Sequence, residues 1–185
     1  TLLESKDLKT FNHALYNHDW YQSQQSQEDH HLNLIVGLGP SHPKLMVINF
    51  QPYPEDIQIR QPFAGAAGEL LRNMLKAIGV EKNLSYLSYL DHSSNPKRRL
   101  PREVKMLKDH LQKEIELVQP KAILLMGPEL AEILLHESNL GDLVEKKMEF
   151  MGIPTFGTYP LHYMTHDPGW KKPAWTTLQL LKSNL

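Results

Sequence analysis

The chain contains no cysteine. That absence excludes disulfide frameworks, thiolate nucleophiles, zinc–thiolate sites and iron–sulfur clusters held by cysteine. Long apolar runs are missing too. None approaches the roughly 18 residues that a membrane-spanning helix needs, and nothing at the start resembles a secretory leader. No membrane partner is therefore expected, and the cytoplasm is the expected location. The first residue is Thr1 rather than Met, which is consistent with further residues upstream. A surplus of charge is also absent: 20 Lys and Arg stand against 21 Asp and Glu, a net charge of −1. With no global field, any contact with nucleic acid has to come from a local patch. His, Asp and Glu fall nowhere at metal-binding spacing, so neither a metal nor a cofactor is expected.

What is present is an ordinary globular composition, 41% hydrophobic and 22% charged over 185 residues, enough for one substantial core. Residues 3–21 place Leu8, Phe11 and Leu15 at helical spacing, and Trp20-Tyr21 close the pattern. The polar tract at 22–31 reads as a linker, so residues 1–31 form an N-terminal helical arm and residues 32–185 the main domain. From Leu45 onward, short apolar runs alternate with amphipathic stretches. Strands are predicted at 45–48, 84–90, 122–126 and 152–159, with helices between them and a closing helix at 173–185. This alternation predicts an α/β fold of three layers, α/β/α, around a central, mostly parallel four-stranded sheet. Right-handed crossovers then bring the loops at 49–65, 91–101, 127–129 and 158–172 to one end of that sheet.

Those loops carry the motifs. Pro62-Phe63-Ala64-Gly65-Ala66-Ala67-Gly68 leads into the first amphipathic helix, and Arg98-Arg99-Leu100-Pro101 follows the second strand. Gln119-Pro120-Lys121-Ala122 opens the third strand, and Thr158-Tyr159-Pro160 closes the fourth. In this order and spacing, over residues 44–181, they resemble the uracil-DNA glycosylase superfamily, in particular its bacterial and archaeal iron–sulfur branch. The resemblance implies excision of uracil or another deaminated base from DNA. That chemistry needs a flipped base on an aromatic face, its edge read by an amide, and charge stabilised as the glycosidic bond breaks.

Residue by residue, the implied site is altered. Phe63 matches the stacking aromatic. Asn49-Phe50-Gln51-Pro52-Tyr53 stands where the family carries Gly-Glu-Ala-Pro-Gly, so Phe50 replaces the acid while Gln51 and Tyr53 border the base pocket. Asp56, close by, is the carboxylate left to act. Tyr89 occupies the place of the uracil-reading Asn at the end of the second strand. Pro160 replaces the family's His, and His162 is the remaining imidazole, displaced by roughly 7 Å if the loop is extended. The implied catalytic pair is thus Asp56 and His162, and the pocket is Gln51, Tyr53, Phe63 and Tyr89.

The cluster cysteines have no counterpart, with Ser93 near one of their positions, which leaves Trp170 and Trp175 as candidates to hold the loops together. Lys97, Arg98, Arg99, Lys171 and Lys172 are candidate phosphate contacts with DNA. Three functions follow. The losses favour a catalytically degenerate glycosylase fold serving as a nucleic-acid-associated binding or scaffolding module. The others are a divergent active glycosylase and a replication adaptor resembling the DNA polymerase III psi subunit, with a protein partner on the aromatic arm.

Overall fold

The computed structural model describes residues 1–24, 34–95, 97–137 and 139–185. Most of the 22–31 linker and the start of the 32–36 segment lie outside the described residues. Five strands form one sheet: β1 (Leu45–Asn49), β2 (Ser85–Tyr89), β3 (Ile123–Met126), β4 (Met148–Phe150) and β5 (Ile153–Thr158), in the order β2-β1-β3-β5-β4. Four of them are parallel, as expected. The addition is β4, which pairs antiparallel with β5 across the turn at Met151 and Gly152. Its three residues hold too few apolar side chains to stand out from the charged stretch around them.

All five residues of β1 are buried, because both faces of the sheet are covered. Met46 and Ile48 point to one core, with Tyr86 and Leu125; Leu45 and Val47 point to the other, with Leu124 and Phe156. The helices divide accordingly. In chain order they are α1 (Leu8–Tyr16), α2 (Asp19–Ser23), α3 (Pro54–Ile59), α4 (Gly65–Ala77), α5 (Pro101–Val118), α6 (Pro128–Leu135), α7 (Leu140–Glu145), α8 (Leu161–His166) and α9 (Lys171–Lys182). Leu107, Leu111 and Ile115 of α5 and Leu130 of α6 fill the first core, while Leu71 of α4, Met164 of α8 and Leu178 of α9 fill the second.

The N-terminal residues break at Asn17 into two short helices, α1 and α2, rather than one. Their apolar face turns inward: Phe11, Leu15 and Tyr21 are buried in the same core as Leu107 and Leu111. The exposed apolar residues left to the arm are Leu3 and Tyr16, and a partner contact through it would fall on them. Leu34 and Leu38 make isolated bridges to Ser93 and Leu87, which places the segment along the outer edge of β2. The loops after β1, β2, β3 and β5 meet at the C-terminal end of the sheet, where open α/β sheets hold their ligands.

Candidate functional site

At that end the site is organised around Asp56, a fully buried carboxylate on α3. Pro54 at the first position of α3 presets the backbone, and Asp56 caps the helix by accepting from the Tyr53 N–H at 2.8 Å. The same carboxylate accepts from the Ala64 N–H at 2.7 Å and from the Tyr89 hydroxyl at 2.6 Å. Burial raises its pKa, against these hydrogen bonds, which favour the ionised form. Asp56 therefore ties three segments together through three protein donors.

Phe63 is held within this frame. Its φ of +51° is uncommon for a non-glycine residue and costs of order 1 kcal/mol. The turn is secured by a bond from the Phe63 N–H to the Tyr89 oxygen at 3.0 Å and by Arg72 donating to the Phe63 carbonyl at 3.2 Å. A Cβ on Gly68 would stand 1.5 Å from that carbonyl oxygen, so only glycine fits there. The ring of Phe63 is 1% exposed. Tyr89 stacks on it, with centroids 5.4 Å apart and planes 13° from parallel, and Tyr53 meets it edge-on at 6.4 Å. Burial, followed by the charge of Asp56, raises the pKa of both tyrosines, so both stay protonated.

The remaining predicted pocket residues separate. The Gln51 amide donates to Asp91 at 2.8 Å and to the Asn95 carbonyl at 2.9 Å, which turns it toward the loop after β2. The Asn49 amide donates to the Gln51 carbonyl. His162 is exposed in the first turn of α8, its ring edge-on to Tyr53 at 6.4 Å and to Tyr163 at 4.6 Å. Partial burial, then the charge of His166, lowers its pKa. The loop expected here is helical, so the two-residue displacement from Pro160 is a rotation of about 200° around α8 rather than a slide along an extended chain. No hydrogen bond links His162 to Asp56, whose carboxylate lies inside the protein.

The basic residues split as well. Lys97, Arg98, Lys171 and Lys172 are exposed. Arg99 is not: its side chain is 4% exposed and forms an ion pair with fully buried Asp91 at 2.6 Å. It also donates to Ser93 Oγ at 2.8 Å and to the Gln24 side chain at 3.2 Å, and its guanidinium lies 5.1 Å over the Trp20 ring. Trp20 in turn donates to Glu103 at 2.9 Å. The expectation that Arg99 meets phosphate is thus corrected, since it serves an internal charge. This clasp joins the loop after β2 to the arm. Trp170 packs on Tyr159 at 4.7 Å, and Trp175 is exposed.

An iron–sulfur cluster does not fit these residues. The chain has no thiolate to offer, and Ser93 spends its hydroxyl on Asp91 and Arg99. Among the described residues no three His, Asp or Glu are grouped to hold a metal, and no helix is long and apolar enough to cross a membrane.

A second buried polar cluster went unread in the sequence. Glu114 of α5, fully buried, accepts from Tyr86 at 3.0 Å and Ser88 at 2.7 Å and faces His92 at 3.4 Å. The other ring nitrogen of His92 lies 2.7 Å from the Ile35 carbonyl. The available signal was the alternating Ser-Tyr pattern of β2, which places two hydroxyls on the α5 face. A carboxylate one turn from the end of an amphipathic helix gives no such hint.

A mostly parallel sheet with an aromatic and a carboxylate at the first loop defines a class, and the residues agree with it. Residues 36–179 match the uracil DNA glycosylase superfamily, and the chain belongs to that family. Its relatives include Type-4 uracil-DNA glycosylases. The one from Archaeoglobus fulgidus is 29% identical over 113 residues, 60% of this chain and 55% of the relative. That from Saccharolobus solfataricus is 30% identical over 124 residues (65% and 54%), and that from Sulfurisphaera tokodaii 29% over 98 residues (51% and 44%). The chain thus spans about half the length of the curated relatives it matches.

Proposed function

We propose that this chain is a uracil-DNA-glycosylase-like protein that no longer excises bases and acts as a nucleic-acid-associated binding module. One observation carries the reading: the Phe63 ring, the aromatic that the resemblance would offer to a flipped base, is buried with Tyr89 stacked on it, and Tyr89 is fixed by its hydroxyl to Asp56 and by the Phe63 N–H. Base excision requires an open aromatic face and a free group to steady the departing base. Here the aromatic ring is stacked from within and the nearby carboxylate is buried and engaged by three protein donors. The exposed cations of the loop after β2, Lys97 and Arg98, supply phosphate contacts without base readout.

The competing reading, a divergent active glycosylase, draws on His162 beside Tyr53 at the exposed edge of this cluster. Incubation with single- and double-stranded oligonucleotides containing uracil, hypoxanthine or xanthine separates the two. The proposal expects no base release, together with DNA binding that weakens as salt rises. Base release that Phe63→Ala abolishes would overturn it.

A further inference from the structure

A groove of about 540 Å³ runs between α4 and α9 and shares no residue with the Tyr53, Phe63 and Tyr89 cluster. Leu70, Met74, Ala77 and Leu178 line it, Trp175 forms a wall, and Lys171 and Lys172 stand at its rim. Trp175 is 46% exposed, although its neighbours Ala174 and Leu178 are buried in the core. A half-exposed indole beside aliphatic side chains is the usual make-up of a contact surface rather than of a solvated helix face.

Charge narrows the occupant. The sequence of α9 holds Lys171, Lys172 and Lys182 and no acidic residue. Neither Lys171 nor Lys172 is ion-paired among the described residues. Both stand in the first turn of α9, where the helix dipole already disfavours cations. An anionic partner relieves both costs. An acidic helix fits this surface better than a nucleic-acid strand. Single strands bind to successive aromatic faces flanked by cations that follow the backbone, whereas this surface offers one indole, an aliphatic trough and cations at one end.

We propose that the α4–α9 groove docks an acidic amphipathic helix of a partner protein. Its apolar residues at i, i+3 or i+4 and i+7 lie in the trough against Trp175, and its carboxylates meet Lys171 and Lys172. The full chain can be tested by fluorescence anisotropy with a fluorescein-labelled Leu/Glu peptide whose leucines share one helical face. The comparison probes are a peptide of the same composition with the leucines scattered, and oligo(dT).

The amphipathic peptide is expected to bind and the scattered one not. Affinity is expected to fall by about tenfold or more, equivalent to 1.4 kcal/mol, in Ala77→Glu and in the double variant Lys171→Glu/Lys172→Glu. Ala77 is exposed, and an unchanged circular dichroism spectrum would show that its variant remains folded. A Leu/Lys version of the peptide is expected to prefer the doubly reversed variant. Equal binding of both acidic peptides, or binding of neither, overturns the proposal. So does binding of oligo(dT) alone, if Trp175→Ala removes it.

Discussion

At Arg99 the guanidinium has exchanged water for Asp91, Ser93 and the Trp20 ring, so removing it strands a carboxylate inside the protein. Arg99→Ala is expected to cost about 3–5 kcal/mol, read from the midpoint of urea unfolding. Its neighbour Arg98 is exposed. Arg98→Ala should leave stability within about 0.5 kcal/mol and lower the salt slope of DNA binding by about 1. If both variants weakened DNA binding equally at unchanged stability, Arg99 would have to be free in solution. The sequence places both in one basic run, and only the burial of Asp91 separates them. A residue type likewise does not reveal that the Asp56 carboxylate already accepts three internal hydrogen bonds.

Among the elements, the start of α4 shows how a backbone demand is written in sequence. The Phe63 turn at positive φ works because Gly68 lets the carbonyl approach the helix. Gly68→Ala is expected to destabilise the chain by about 3 kcal/mol in chemical denaturation, although alanine favours helix elsewhere. The four parallel strands and their helices were legible because five-residue apolar runs and stripes of period 3.6 survive in any context. The short α3, α8 and β4 were not legible. Each is six residues or fewer, and each is stabilised by neighbours rather than by its own pattern. Within the candidate site, the positions of Phe63 and Tyr89 were legible, but their stacking on each other was not. The arm was visible as an amphipathic helix, yet its partner turns out to be α5 of the same chain. Phe11→Ala should therefore lower the stability of the whole fold by about 3–5 kcal/mol in one cooperative transition. An unchanged main transition would mean that the arm is a separate unit.

For the molecule as a whole, two histidines on facing elements shape the response to pH, because the arm, the loop after β2 and α5 close over them together. His110 of α5 is buried with its Nδ1 unpaired, between His18 of the arm and Tyr21. Burial first, then the nearby charges of His18 and His92, pushes its pKa down to about 4, with Asp109 pulling weakly the other way. Below pH ~6.5 the unfolded chain takes up a proton that the native state refuses until pH falls to about 4, so unfolding becomes easier across that window. The contribution is at most about 3 kcal/mol. His92 acts with the opposite sign. Burial works to lower its pKa but is outweighed by the charge and hydrogen bond of Glu114, the Ile35 carbonyl and Asp91, so the pKa is raised. The stability it adds is fully present below pH ~6.5 and is lost as pH climbs through the raised value. Urea unfolding between pH 4 and 9 should therefore trace a dome with its summit near neutrality. His110→Asn is expected to flatten the acid limb and leave the other. His92→Gln is expected to flatten the alkaline limb by lowering stability at the lower pH values, where the protonated ring is the counter-charge of Glu114. A monotonic profile, or an acid limb indifferent to His110→Asn, would mean that these rings are reached by water and that the arm does not seal them.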